Sequence, residues 1–287
     1  MSDAATAESC TPSDLRIEPR NLTFVRTMPD ERFWAKGDPV ETHYFNAMSL
    51  TFPEGERFFI DAVKHFRNLA TGKLAEDVKN FIIQESLHTR EHLAFNKFLD
   101  PEHYPIAEIE AFIAKRIGIG RSRPPVAHLA ITAALEHFTA IFAEDALKHA
   151  DDFGTRSGPV RDLWMWHALE ESEHKAVAFD VLMRAIAGWP AWRRYVLRVH
   201  VMLVTTILFN MNVGHIALRL LDADGIKGWR ARWKLLGFMV SSRSPYRRTI
   251  GAYLSWYLPG YHPWWHDTRP LMTKWRERFG GGEAQAA

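Results

Sequence analysis

The amino-acid sequence predicts an all-α protein, and three observations support this. Apolar residues recur every three or four positions in several long segments, which is the spacing of one face of an α-helix. Proline and glycine stand near the ends of these segments. No stretch alternates apolar and polar residues for long, as a half-buried β-strand would. With 287 residues, the chain is long enough to bury a substantial core.

The predicted helices follow one another from residue 53 onward. The first has Pro53 near its start, where the missing N–H costs little, and Gly72 just beyond its end. Pro101 stops the second, and a break rich in glycine and proline follows the short third. Gly188 and Pro190 end the last helix of this series. The predicted ranges are 53–70, 74–99, 106–117, 126–150 and 159–187.

This pattern divides the chain into three parts. Residues 1–45 are polar and show no sustained period, which predicts an N-terminal extension lying over the surface. Residues 46–188 hold the long helices and are predicted to form one bundle. Residues 189–287 are predicted to be a helical, aromatic-rich extension of the same domain. Ten of the eleven tryptophans stand at Trp164 or later, so the second half of the chain must accommodate many large rings.

Composition narrows the classes of function. Hydrophobic residues make up 47% and charged residues 24%, which argues against disorder and against a polytopic membrane protein. The net charge of +2 is too small to predict nucleic-acid binding. The single cysteine, Cys10, excludes an intramolecular disulfide and a cysteine-based metal cluster. The first residues lack the pattern of a secretory signal, so we expect a cytoplasmic protein.

One apolar segment raises the question of a membrane. Residues 199–221 are almost long enough to span a bilayer, but His200, Asn210 and Arg219 interrupt them, and polar groups are expensive inside a membrane. A buried or interfacial helix is therefore the better prediction. Residues 253–279 mix Trp, Tyr, Pro and Arg as interfacial segments do, although a strap packed on the bundle explains them more simply. Peripheral membrane contact through 199–221 and 253–279, with membrane association, stays an open alternative, as does a homodimer.

Each of the four longest predicted helices places one glutamate on its apolar stripe. The neighbouring apolar residues stand three, four or seven positions away, which puts the carboxylate on the buried face. A buried ionised carboxylate is costly unless it is paired, protonated or bound to a metal. Apart from Lys175, no Lys or Arg shares these stripes near the carboxylates, so a bound cation explains them best. The four residues are Glu56, Glu85, Glu136 and Glu171.

The acidic residues also repeat in order: a single glutamate and then Glu-x-x-His, given twice. Residues three apart on a helix point in the same direction, so the carboxylate and imidazole of each pair can reach one metal or a bridged pair of metals. One such pair occurs by chance, but two, each preceded by a core-facing glutamate, predict a two-metal site. The repeat consists of Glu56 with Glu85 and His88, and Glu136 with Glu171 and His174.

On these residues the chain resembles the ferritin-like di-iron and di-manganese carboxylate proteins, over roughly residues 50–187. The resemblance implies a four-helix bundle with additional C-terminal helices, and two metal ions held by the six residues of the repeat. His167, four residues before Glu171, resembles the additional histidine of di-iron arylamine N-oxygenases and would be a seventh ligand. His92, one turn after His88, is expected to support a ligand rather than to bind metal.

Two residues beside the ligand faces are expected to be bystanders, namely His137 and Glu170. Over a longer span, from FPEGERFF at residues 52–59 to YHPWWHD at residues 261–267, the chain also resembles the bacterial family called predicted metal-dependent hydrolases. That resemblance implies a metal and leaves the reaction open.

These resemblances imply a metalloenzyme with a small-molecule substrate. The favoured function is an O₂-activating di-iron oxidase or oxygenase acting on a small hydrophobic compound, with manganese or zinc as alternatives to iron. The second is a two-metal hydrolase that activates water. The third is non-catalytic iron binding. A metal-free network of protonated glutamates is the remaining alternative, and it leaves many buried polar groups without a cation.

Overall fold

The helices predicted from the sequence are present, and further helices precede and follow them. The computed structural model describes residues 11–24, 31–153 and 158–280, and no β-strand occurs in these ranges. The first ten residues, which include Cys10, lie outside them. The helices are α1 (Pro39–Phe66), α2 (Lys73–Asn96), α3 (Ile106–Arg121), α4 (Pro125–Lys148), α5 (Pro159–His174), α6 (Val177–Ala185), α7 (Ala191–Ala223), α8 (Gly228–Val240), α9 (Pro245–Ser255) and α10 (Arg269–Gly280).

Helix α1 begins well before the predicted start at residue 53, so residues 39–45 belong to a helix and not to the extension. Asp38 caps it by accepting hydrogen bonds from the backbone N–H groups of Val40 and Glu41. Every residue from 40 to 50 is buried. A helix that is buried all round shows no alternation of apolar and polar faces, which is why the sequence pattern did not reveal it.

The last predicted helix of the series, 159–187, is two helices. The chain turns at Lys175 and Ala176, directly after His174. Lys175 is buried; its Nζ donates a hydrogen bond to the backbone carbonyl of His266, at 2.5 Å, and lies 4.0 Å from the centre of the Trp264 ring. Through Lys175, the turn between α5 and α6 therefore binds the C-terminal tail to the helices that carry the predicted ligands.

Five helices, α1, α2, α4, α5 and α6, surround the predicted site. Helix α1 packs on α2 and α4, and α5 packs on the same two helices. Helix α6 packs on α1, α2 and α4. These contacts close a ring around one interior. Helices α3 and α7 cover α1, and α7 and α9 cover α4. Residues 11–24 run over the bundle and contact it, for example where Asn80 donates a hydrogen bond to the carbonyl of Ile17.

The C-terminal region divides into a packed part and an exposed part. Large side chains of residues 261–279, among them Trp264, Met272 and Trp275, are buried, so this segment is a strap on the bundle. Helix α7 differs. Both α4 and α7 are long and apolar enough to cross a bilayer, but α4 is mostly buried, whereas only 28% of the apolar window of α7 is buried.

Candidate metal centre

All seven predicted ligand residues lie together in the interior between α1, α2, α4 and α5. None of them exposes more than 5% of its surface. Each single glutamate comes from one helix, and each Glu-x-x-His pair presents both side chains from the inward face of its own helix. The seven residues are Glu56, Glu85, His88, Glu136, His167, Glu171 and His174.

The two Glu-x-x-His pairs meet across the interior. His174 Nε2 lies 3.1 Å from Glu85 Oε1 of the other pair, and 3.5 Å from an oxygen of Glu136 and of Glu171. His88 Nδ1 lies 3.6 Å from Glu171 Oε1 and 4.0 Å from Glu85 Oε1. Each imidazole therefore faces the carboxylate of the opposite pair.

The donor atoms fall into overlapping groups of three, in which all atoms lie within 4.8 Å of one another. Glu85, Glu171 and His88 each belong to two of the groups below, and a fourth group joins Glu56 and His167 to His92, so the groups overlap. Overlapping groups of this kind are compatible with two metal ions in one interior. Three such groups are Glu56–Glu85–His88, Glu85–Glu171–His174 and His88–His167–Glu171.

The donor atoms that face this interior lack hydrogen-bond partners among the described residues. A buried polar atom left without a partner costs about 1–3 kcal/mol, and here several such atoms point at the same space. Divalent cations would satisfy all of them together, so the residues fit a metal. The atoms are both carboxylate oxygens of Glu85 and of Glu136, Glu56 Oε1, Glu171 Oε2, His88 Nδ1 and His174 Nε2.

The opposite ring nitrogen of each Glu-x-x-His histidine is held by a buried acceptor. His174 Nδ1 lies 2.9 Å from Gln84 Oε1, and His88 Nε2 lies 3.1 Å from Glu170 Oε2. An amide or carboxylate oxygen only accepts, so in both cases the ring nitrogen carries the proton. Each imidazole thereby turns its other nitrogen to the interior, where the neutral ring would offer a lone pair to a metal, as in metal-binding histidines.

A cavity of about 550 Å³ reaches the site from one side. Its walls come from α1, α3, α4 and α7 and are mainly apolar. Of the seven predicted ligand residues, Glu56, His167 and Glu171 line it. A smaller cavity of about 60 Å³ reaches His167 and Glu171 from the side of α9. The centre therefore has one wide approach.

The comparison with protein families agrees with a metal centre. A family model described as predicted metal-dependent hydrolase matches residues 18–267. The chain belongs to this family. The match covers all seven predicted ligands and most of the extensions on either side. No curated protein and no solved structure gives a significant match. Family membership and the buried carboxylate–histidine cluster together support a metal-dependent activity, while the ligand assignment itself stays a prediction.

His92 lies in a hydrogen-bonded chain that determines how His167 presents its ring. Asn96 Nδ2 donates to the carbonyl of Ser49, which leaves Asn96 Oδ1 to accept from the Ser49 hydroxyl at 2.6 Å. Ser49 Oγ then accepts from His92 Nδ1 at 2.8 Å, and His92 Nε2 accepts from His167 Nδ1 at 2.7 Å. His167 Nε2 is left with its lone pair facing the centre, 3.0 Å from Glu171. Both nitrogens of His92 are occupied in this chain, but a nitrogen of His92 also lies within 4.8 Å of ligand atoms of Glu56 and His167, so its supporting role stays a prediction.

The expectation that Glu170 is a bystander is wrong. Besides His88, it accepts hydrogen bonds from Trp166 Nε1 at 3.1 Å and from the backbone N–H of Arg20 at 2.9 Å. Arg20 is itself buried and pairs with Glu173 at 2.8 Å. Glu170 lies one residue off the ligand face, and that offset directs it at the outer nitrogen of His88 on α2. His137, in contrast, contacts the hydroxyl of Tyr261 in the tail.

Burial and neighbouring charges shift the pKa values of several residues of this cluster. Burial raises the pKa of Glu56 and of Glu136 well above the usual value, and the neighbouring carboxylates add to this rise. Burial acts in the same direction on Glu171, but the positive charge of His174 outweighs it and holds the pKa well below its ordinary range. Burial lowers the pKa of His167 to about 4, so this ring is neutral at pH 7.

Proposed function

We propose that the protein is a two-metal oxidase or oxygenase, with iron as the favoured metal and a small hydrophobic compound as substrate. The observation that carries the proposal is the cluster of seven inward-facing donors, which is open to an apolar cavity on one side. The family description points to a metal-dependent enzyme, and the identity of the metal and the reaction are inferred from the donors and the cavity.

The composition of the donor set favours iron or manganese. Four carboxylates can balance the charge of two divalent cations, and mixed carboxylate and imidazole ligands suit these metals at sites that keep open positions. Structural zinc sites are usually tetrahedral, with few ligands that include sulfur or nitrogen. When bound, iron at this centre would supply the activation of O₂.

The chain's own residues hold the donors and keep the reaction space dry. Apolar side chains of the cavity wall, such as Phe52, Phe59 and Leu135, exclude water from the side on which Glu56 and Glu171 are exposed to the cavity. A closed, low-dielectric space protects reactive species from water and strengthens electrostatic interactions inside it. The substrate would lie in this cavity beside His167.

Two arginines, one in α3 and one in the following loop, indicate that the substrate carries an acidic group. Arg116 and Arg123 line the cavity, and Arg116 Nε is buried without a hydrogen-bond partner among the described residues. A guanidinium in such a wall would pair with a carboxylate or phosphate of the ligand. The best candidate is therefore a compound with an apolar body and one acidic group.

The test is O₂ consumption by protein loaded anaerobically with Fe(II). The proposal predicts O₂ uptake well above that of the same concentration of free Fe(II), together with oxidation of the protein-bound iron. Glu85→Ala protein, which lacks a donor shared by two ligand groups, should behave like free Fe(II). O₂ uptake by the wild-type protein no faster than that of free Fe(II) would overturn the proposal.

Hydrolysis is the second candidate, because the description of the family favours it. Two metals can lower the pKa of a water held between them and stabilise a leaving oxygen. Zinc- or manganese-loaded protein would then hydrolyse p-nitrophenyl esters of medium-chain acids, and Glu171→Ala would abolish the activity. Turnover of such esters without O₂ uptake by the iron form would favour hydrolysis over oxidation. O₂ uptake without turnover of any organic compound would favour non-catalytic iron binding.

A further inference from the structure

Helix α7 carries a long apolar stripe that faces solvent. Trp192, Ile207 and Met211 expose 68%, 59% and 64% of their surfaces, and Val196 and Leu203 lie between them on the same face. From residue 192 to 211 this stripe is about 28 Å long at 1.5 Å per residue. Between Arg194 and Arg219 the helix carries one charged residue, Arg198, which is buried. Such a stripe on a soluble surface marks a binding face.

Helices α8 and α9 enlarge this apolar surface. Trp229 and Trp233 of α8 are strongly exposed, as are Ile250 and Leu254 of α9 and Leu258 just beyond it. Hydrogen bonds hold α9 along α7, from Tyr253 to Thr206 at 2.9 Å and from Tyr195 to the carbonyl of Tyr257 at 2.8 Å. Helix α8 packs on both. The three exposed stripes are therefore neighbours.

The same region concentrates positive charge. Residues 191–258 contain eleven Arg or Lys and two Asp, a net charge of +9, in a chain whose total is +2. Exposed cations such as Arg193, Arg230 and Arg247 accompany the tryptophans. Basic residues beside an exposed apolar face with tryptophans match the chemistry of an anionic lipid surface.

We propose that α7, α8 and α9 form a face that binds the surface of an anionic lipid bilayer without crossing it. One side of α7 is fixed to the bundle, where Met202, Val213 and Ile216 are fully or almost fully buried. The helix could span a bilayer only by leaving the bundle. Two copies of the chain pairing through this face would bring two regions of charge +9 together, which electrostatic repulsion opposes.

The cavity opens on this face. Val204 and Leu208 of α7 both line the cavity and are partly exposed beside the apolar stripe. An apolar molecule dissolved in the bilayer could enter through this opening without passing through water. The route rests on the proposed function of the cavity, whereas binding of the face to lipid does not.

Vesicle flotation of the full-length protein tests the proposal. Vesicles of equal parts phosphatidylglycerol and phosphatidylcholine should carry the protein upward, and pure phosphatidylcholine vesicles should carry much less. The double variant Ile207→Glu/Leu254→Glu should lose binding. Leu69→Glu/Leu93→Glu, at exposed apolar positions outside α7–α9, should keep it. Arg193→Ala should weaken binding about fivefold, since a basic residue near an anionic surface contributes about 1 kcal/mol.

Several results would overturn the proposal. They are failure of the wild-type protein to bind anionic vesicles, and equal loss of binding in the two double variants. A third is a wild-type dimer in solution that Ile207→Glu/Leu254→Glu converts to a monomer, with no vesicle binding, since the face would then serve a second copy. Glu85→Ala protein should still bind vesicles, so that failure of the metal site and failure of the lipid face are distinguishable.

Discussion

The two sides of the metal centre differ in what surrounds them. On one side Glu56, His167 and Glu171 line the large apolar cavity. On the other side Glu85 and His174 contact each other, and His174 also contacts the buried Gln84. Under the proposed function, the closed side would hold the metals and the open side, besides providing ligands, would admit the substrate.

The hydrogen bonds behind the histidines differ in the same way. On the closed side the supporting groups belong to a charged network in which Arg20 links Glu170 and Glu173. On the open side the support for His167 is a neutral chain through His92 and Ser49. A neutral chain orients a ligand without adding charge next to an apolar substrate. The predictions below test this comparison, from the largest expected effect on metal binding to the smallest.

Removing a shared carboxylate should have the largest effect. Glu85→Ala and Glu171→Ala should each abolish stoichiometric metal binding, because each residue belongs to more than one group of ligand atoms. Helical content by circular dichroism should change little. Glu54→Ala, at a partly exposed position two residues from Glu56, is the control. Full metal content in both variants would show that the ligand assignment is wrong.

Removing the supports on the closed side should weaken metal binding without abolishing it. Gln84→Leu and Glu170→Gln should each lower metal affinity about 10- to 100-fold, the range usual for groups that orient metal-bound histidines. Competition with a chelator measures this loss, and Ser86→Ala on the exposed face of α2 is the matched control. Unchanged affinity in both variants would mean that these hydrogen bonds do not orient ligands.

The support on the open side should matter less. His92→Phe removes the acceptor of the His167 Nδ1–H, and we expect metal affinity to fall about tenfold, at the low end of the same range. The chelator titration measures it under the same conditions. A loss larger than that of Glu170→Gln would contradict the comparison, because the neutral chain would then hold the metal as firmly as the charged network.

Filling the cavity with a larger side chain should leave the metal content of the protein unchanged. Val201 lines the cavity wall on α7, and Val201→Trp should weaken binding of a fluorescent medium-chain fatty acid about tenfold or more by removing space for it. Val196→Trp, on the exposed stripe of the same helix, is the control. If Val201→Trp lowered the metal content instead, filling the cavity would disturb metal binding, and the two sides of the centre would not have separate roles.

Much of the fold followed from periodic stripes, and the exceptions have physical causes. The α1 segment from 40 to 50 was missed because it is buried all round. The break after His174 has no proline or glycine beside it in the sequence, and the strap that Lys175 contacts there lies about ninety residues away.

The seven inward-facing donors could be predicted because residues three or four apart on a helix share a face. Their supports could not, since Arg20 reaches Glu170 from a segment 150 residues away. A local signal did exist, because the run Glu170–His174 holds three glutamates and a histidine, and all five residues are buried. So many acidic groups in one buried turn require partners on every face of the helix.

The most direct test of the central claim is the metal content of the purified protein, measured by mass spectrometry before and after anaerobic Fe(II) loading. The account predicts about two iron or manganese ions per chain, as in other sites with two single glutamates and two Glu-x-x-His pairs. Zinc in both positions would move the proposed reaction to hydrolysis. No stoichiometric metal under either condition would contradict the account and leave the buried glutamates as a protonated structural network.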